Sequence, residues 1–335
     1  MRPFAAAVSA RGVSTTAAAV LLGMVLAGPA HADPMSTSPE QAYDQGEVPN
    51  PRALGMGGAL NALGVSTTAL SLNPANMALA RVYHLEALAA YSPEAKRQTY
   101  GLAVVDSVLN SSHVAGGLEG TWSEFDPSGI HRTWTDLRGG VAVPLGQYLS
   151  LGATIRWLRV NQDLGVGPFG TSYASDGGNG PLFNGVTFDA GATVSVLDGL
   201  RIAVVGHNLT NPGTALAPIV GAAGVGYFTP TFAIEGDGSL DFTTWGKARG
   251  RLMAGGELFL ADRYALRAGW RYDAGTKINS PSLGFGYIDP NWSIELGIRR
   301  DIISEHAETL GSLSLRYFYD AAGASPPEQN QQLLQ

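Results

Sequence analysis

Cysteine is absent from the chain, and with it any disulfide framework, thiolate nucleophile or cysteine-built metal site. Beyond residue 32 there is no run of about 18 apolar residues, which excludes membrane-crossing helices. Charge is sparse, at 15% of residues, and its balance is acidic, with a net charge of −7 and no basic stretch suited to nucleic acid. Catalytic signatures are missing as well: the sequence contains no HExxH, no GxSxG and no paired-histidine spacing. His84, His113, His131, His207 and His306 are scattered over strand ends and loops. Only His207, beside Asn208, is kept as a candidate for chemistry at a rim, against the commoner structural role of a lone histidine. Asp176-Gly177-Gly178-Asn179-Gly180 is rich in oxygen ligands but lacks the acid spacing and closing glutamate of a calcium loop. No metal, no cofactor and no enzyme activity are expected.

What is present begins with an export signal. Arg2 and Arg11 form a basic start, Thr16–Ala27 is a short apolar run, and Ala30-His31-Ala32 is a small-x-small cleavage site. Residues 1–32 are therefore expected to be removed, leaving Asp33 first and, with two arginines gone, a net charge of about −9. Glycine is abundant, at 44 residues, without a collagen-like period. In a strand-rich chain this points to tight turns and lumen positions.

The clearest pattern lies between Arg251 and Tyr319. Tyr264, Leu266, Ala268, Trp270 and Tyr272 alternate with Ala265, Arg267, Gly269 and Arg271; Trp292, Ile294, Leu296 and Ile298 alternate with Ser293, Glu295, Gly297 and Arg299. A period of two is a strand. One soluble sheet could show this, but fourteen such segments follow one another from Tyr83 to Tyr319. Their connections sort by parity: the even-numbered ones are short, such as Asp198–Gly199 and Asp262, and the odd-numbered ones are longer, with residues 161–184 the longest. That is the pattern of an up-and-down barrel with one short-turn end and one long-loop end. The fold class expected is all-β, a transmembrane antiparallel barrel of 14 strands.

In such a barrel the apolar set faces lipid and the polar set faces the lumen, because a lysine or arginine at the bilayer midplane costs roughly 2–4 kcal/mol. The lumen is then charged, with acids and bases mixed. Glu257, Arg267, Arg271, Glu295, Arg299 and Arg316, on neighbouring C-terminal strands, are expected to form an ion-pair network that braces one wall and holds whatever lies inside. A network with no part in substrate handling is the plainer reading. The long connection carries Phe169, Tyr173, Leu182 and Phe183, which either pack on the barrel mouth or capture an apolar ligand. Tyr319-Asp320 closes the last strand with an aromatic, like the signal read by barrel-assembly machinery. Residues 321–335 are a polar Pro/Gln/Ala-rich tail expected to be disordered in the periplasm.

Before the first strand comes Arg52-Ala53-Leu54-Gly55-Met56-Gly57-Gly58-Ala59, a short Ala/Ser/Leu element, and Asn73-Pro74-Ala75-Asn76-Met77-Ala78. Taken alone, these are a glycine turn and an Asn-Pro turn between short apolar elements. Together they resemble the start of mature chains in the FadL-type family of outer-membrane long-chain fatty-acid transporters and its PorV-like barrel relatives, although that signature usually continues with Gly-Leu where this chain has Asn76-Met77. The resemblance implies that residues 33–80 form a lead and a hatch inside the lumen, carried by Arg52, Gly55, Gly57, Gly58, Asn73 and Pro74, ahead of a barrel over 81–320. It also implies passive transport of fatty-acid-like hydrophobic or amphipathic molecules across the bacterial outer membrane. The alternative is an outer-membrane binding or assembly protein, such as a secretion-system shuttle. The partners expected are outer-membrane lipid, the assembly machinery during insertion and a hydrophobic small molecule, with no nucleic acid.

Overall fold

The computed structural model describes residues 46–108, 114–125, 131–163, 166–167, 170–171, 181–302 and 307–319. The expected export signal, the first part of the lead, His113, Phe169, Tyr173, the Asp176–Gly180 stretch, His306 and the C-terminal tail lie outside them.

Alternating side chains leave this chain one way to satisfy its backbone, which is to close the sheet on itself. The strands are β1 (Tyr83–Ser92), β2 (Arg97–Asp106), β3 (Ala115–Phe125), β4 (His131–Leu145), β5 (Leu149–Asp163), a two-residue pair β6 (Val166–Gly167) and β7 (Gly170–Thr171), and β8 (Phe183–Leu197). They continue as β9 (Leu200–His207), β10 (Val220–Phe228), β11 (Phe232–Asp241), β12 (Arg249–Leu260), β13 (Tyr264–Asp273), β14 (Ile278–Ile288), β15 (Trp292–Arg300) and β16 (Thr309–Phe318). Without the small β6–β7 pair, fourteen strands form a closed antiparallel barrel in sequence order. The barrel is sealed where β16 returns to β1, with Arg316 opposite Glu86 and Phe318 opposite His84.

Two features of the strands have a visible local cause. β14 begins at Ile278, ahead of Pro281. The ladder to β15 starts at Ser282 opposite Arg299, with only an isolated bridge from Asn279 to Ile302 beyond, so the proline falls where that pairing lapses. β9 stops at His207 because Asn208 turns into the left-handed region at φ 55.

Burial follows the alternation. Along β15 Trp292, Ile294, Leu296 and Ile298 are exposed while Ser293, Glu295, Gly297 and Arg299 are covered. The outer surface is apolar: Leu102 is 71% exposed and Leu283 63%. In water such a belt would be costly, and in lipid it is the required solvent-facing set. Aromatics band it at both ends. Tyr264, Tyr287 and Trp292 contact in series at the short-turn end (5.5 and 5.4 Å between ring centroids), with Tyr83 against Tyr319 nearby. Tyr100 stacks on Trp122 and Trp270 on Tyr272 toward the long loops.

The polarity rule reverses at the top of β5. There Leu158 and Val160 point inward, Arg159 points outward, and the inward pair packs with Leu216, Ala217, Trp134, Leu182 and Phe183. A strand whose outer face turns charged has left the lipid.

Candidate functional site

The lumen is filled by the chain's own N-terminal segment, residues 46–80. Asn50 accepts from the amides of Arg52 and Ala53 at 3.0 and 3.4 Å, and Pro51 follows at the first helical position, so α1 (Pro51–Gly55) starts there. Gly57 and Gly58, at φ 69 and 89, turn the chain away from it. A second short helix, α2 (Thr67–Leu72), leads to Asn73, whose side chain accepts from Ala75 N at 3.2 Å and starts a 3₁₀ turn over Pro74–Ala78.

Steric seats in the wall receive this segment. At Gly269 an added Cβ would stand 2.2 Å from Gly57 N and Met56 C, and at Gly255, directly opposite on β12, 2.4 Å from Met56 O. Gly297 lies under Pro51 O in the same way, while Gly152 and Gly191 lie under Pro74 and Asn73. These inward glycines form a groove, and the plug backbone fills it.

Ion pairs supply the second tie. Arg52 Nη2 meets Glu257 at 2.8 Å, and Arg267, opposite Glu257 in the β12–β13 register, holds that carboxylate from the other side. Arg267 then crosses the bare positions Gly284 and Gly286 of β14 to reach Glu295 on β15 at 3.0 Å. Arg316 joins Glu295 at 3.4 Å to Glu86 at 3.1 Å, and Glu86 accepts from Asn50 Nδ2 at 3.0 Å and from Thr67 Oγ1. The series leaves the plug at Arg52 and returns to it at Asn50 and Thr67. Of the six wall residues expected in one network, Glu257, Arg267, Glu295 and Arg316 stand in this series. Arg271 is instead paired with Glu47 at 3.3 Å, and Arg299 lines the lumen cavity near Leu310.

Two further anchors hold the middle of the plug. Glu235 accepts from the amides of Ala62 and Leu63, and Asp237 from that of Asn61. Asn73 Nδ2 donates to Asn61 O at 2.7 Å and Thr193 Oγ1 at 2.9 Å, and Asn76 Nδ2 donates to the same carbonyl at 2.9 Å. On the opposite wall Asp136 takes Arg138 and Arg156 at 3.0 and 2.7 Å, and these arginines donate to the plug at Ser71 O and Gly46 O. His207 sits on Asp189 at 3.3 Å. No serine or other nucleophile is bonded to this pair among the described hydrogen bonds.

No protein-family model and no curated protein matches the chain. Solved structures do. A structure titled CymD monoaromatic hydrocarbon channel superposes with a TM-score of 0.62 at 16% identity, covering 80% of this chain and 97% of that one. The Ralstonia pickettii toluene transporter TbuX gives 0.58 at 12% identity over 82% and 99%. A Pseudomonas aeruginosa FadL homologue gives 0.56 at 15% identity over 82% and 99%. The chain has the fold of the FadL-type barrels.

Among the described residues, small cavities remain beside the plug. Two cavities of about 80 and 60 Å³ flank residues 46–49, each with room for only a few waters. Leu182 and Phe183, half-buried, pack against the mouth cluster described above.

Sequence reading of the segment omitted Glu47, Asn50 and Thr67, because their only signal is a polar residue in a short turn. The glycine seats carried a signal: they fall on inward positions, Gly269 between Arg267 and Arg271 and Gly297 between Glu295 and Arg299 on the same face. Asn73→Ala is expected to lower stability by about 1–2 kcal/mol, since it removes the cap on Ala75 N and two further buried hydrogen bonds, to Asn61 O and Thr193 Oγ1, groups that Asn76 still reaches. Thermal unfolding in detergent measures this.

Proposed function

We propose that the protein is an outer-membrane channel for hydrophobic or amphipathic small molecules, belonging with the FadL-type transporters, in which residues 46–80 act as the hatch. The observation that carries this reading is the pairing of a lipid-compatible outer belt with a lumen occupied by a separately anchored piece of the same chain. A barrel built only to be rigid has no need of an internal segment held by reversible polar ties. The likeness in fold to channels titled for monoaromatic hydrocarbons and toluene supports hydrophobic cargo as the class.

No nucleotide motif is present in the sequence, so movement would be passive, down a gradient through sites of falling affinity. The exported chain would insert with its short turns in the periplasm and its long connections outside, as the parity of the connections requires. The test is flux into liposomes, or uptake by cells, for the full chain and for a chain lacking residues 52–80. The expected result is slow, solute-selective passage through the full chain and fast, unselective passage after deletion. No flux of any solute through either form rejects transport and favours a binding or assembly role.

A further inference from the structure

The anchor at the middle of the plug sets two acids side by side with no arginine between them. Glu235 and Asp237 share the inward face of β11 and are 4% and 5% exposed. Glu235 Oε1 and Oε2 accept from the amides of Ala62 and Leu63 at 2.5 and 2.9 Å, and Asp237 Oδ2 accepts from that of Asn61 at 3.0 Å. Three successive plug amides therefore end on one pair of carboxyl groups.

The fourth oxygen has no such partner. Asp237 Oδ1 is covered and accepts no N–H or O–H among the described hydrogen bonds. It lies over Gly224, directly opposite on β10, where an added Cβ would stand 2.0 Å from Asp237 Oδ1 and 3.1 Å from Glu235 Oε1. The two carboxyl groups are within hydrogen-bond reach of each other. Two carboxylates placed so would repel, whereas an O–H on one makes a hydrogen bond to the other. The surroundings fit a single charge. β10 and residues 59–65 carry none, and β12 sets Gly255 and Met253 opposite the pair. The charges that face it are Arg201 of β9 and Arg52 of the plug, the latter already tied to Glu257. Asp241, farther along β11, accepts from the amides of Thr243 and Thr244. Arg201 thus matches one negative charge on the pair, and a second would go unmatched.

We infer that Glu235 and Asp237 share one proton, held at Asp237 Oδ1, and that this proton sets the grip of the wall on residues 61–63. The sign follows from proton counting. The gripped state binds one proton more than a released state in which both acids meet water as carboxylates, so rising pH favours release and falling pH favours the grip. The inference is independent of what the lumen passes, and it holds whether or not any solute crosses.

The test joins infrared spectroscopy of the purified full chain in detergent to hydrogen exchange of peptides covering residues 61–63, read by mass spectrometry. The native chain should show the carbonyl band of a protonated carboxyl group, lost as pH is raised while the heat-shifted gel band is kept. Across that pH the protection factor of residues 61–63 should fall roughly tenfold, with that of β15 unchanged. Asp237→Asn puts an N–H donor where the proton was and keeps the oxygen for Asn61, so it should remove the band and leave protection high at every pH. Glu235→Gln gives up one plug amide and should show lower protection, again without pH dependence; it carries the test where Asp237→Asn does not fold. A band unchanged in both variants overturns the shared proton. A band that persists to the highest pH at which the barrel stays closed, or a pH response equal in native chain and variants, overturns the switch. Flux assays bear on the transport reading alone, so failure of one leaves the other standing.

Discussion

Gly269→Ala is expected to unseat the plug and open the lumen while the barrel stays closed. The new Cβ would stand 2.2 Å from Gly57 N and Met56 C, atoms of backbone that no rotamer change can clear. Overpacking against side chains costs about 1–3 kcal/mol because they can swing aside, and here the whole α1 turn must lift. Lifting it also separates Arg52 from Glu257. The strand itself tolerates alanine, since Gly269 is not among the positive-φ residues. Planar-bilayer conductance should rise, and protease should gain access to Arg52, with the heat-shifted band retained. Gly236→Ala is the control: it lies on β11 with nothing within 4 Å of an added Cβ, and it should be silent. Unchanged conductance and protection at Gly269→Ala would mean the plug does not rest on this seat.

Glu257→Ala should be the most destabilising single change to a lumen charge, by about 3–5 kcal/mol. It leaves Arg52 and Arg267 facing each other in a site where Glu257 was fully covered and Arg267 is 1% exposed. Coulomb repulsion and two lost charge-assisted bonds act together there. Glu257→Gln keeps the volume and one acceptor and should fall between alanine and the native residue. Combining Arg52→Met with Glu257→Ala should cost less than the two single changes added, because they share one interaction. Urea or thermal unfolding in detergent measures all four forms. A loss below about 1 kcal/mol for Glu257→Ala would mean that water solvates this wall as it does a surface pair.

The legible part of this protein lies in its strands. Trp292 to Arg299 gives one face to lipid and the other to the lumen because side chains alternate along any strand. The six inward charges read that way, Glu257, Arg267, Arg271, Glu295, Arg299 and Arg316, are all buried in the structure. Where β5 leaves the membrane the same alternation continues but its meaning reverses, with Leu158 inward and Arg159 outward, and the sequence does not mark the depth at which that happens. The plug was harder to read. Its helices are five and six residues long, too short for periodicity, and they are specified by caps and by the wall they touch.

The six expected network residues illustrate the limit. All six lie on the inward face, yet Arg271 turns to Glu47 and Arg267 to Glu295, two strands away. Strand parity fixes the face of a residue and leaves its partner open.

The sequence by itself determined the number of strands, the side of the wall each residue occupies and the two unequal ends of the barrel, because these depend on a local period of two and on loop length. The tertiary structure alone decided which inward residues meet. Closure of the barrel brings Arg52 to Glu257, 205 positions apart, and sets Gly269 beneath Gly57, because a cylinder places its opposite walls and its contents within reach of one another regardless of sequence distance.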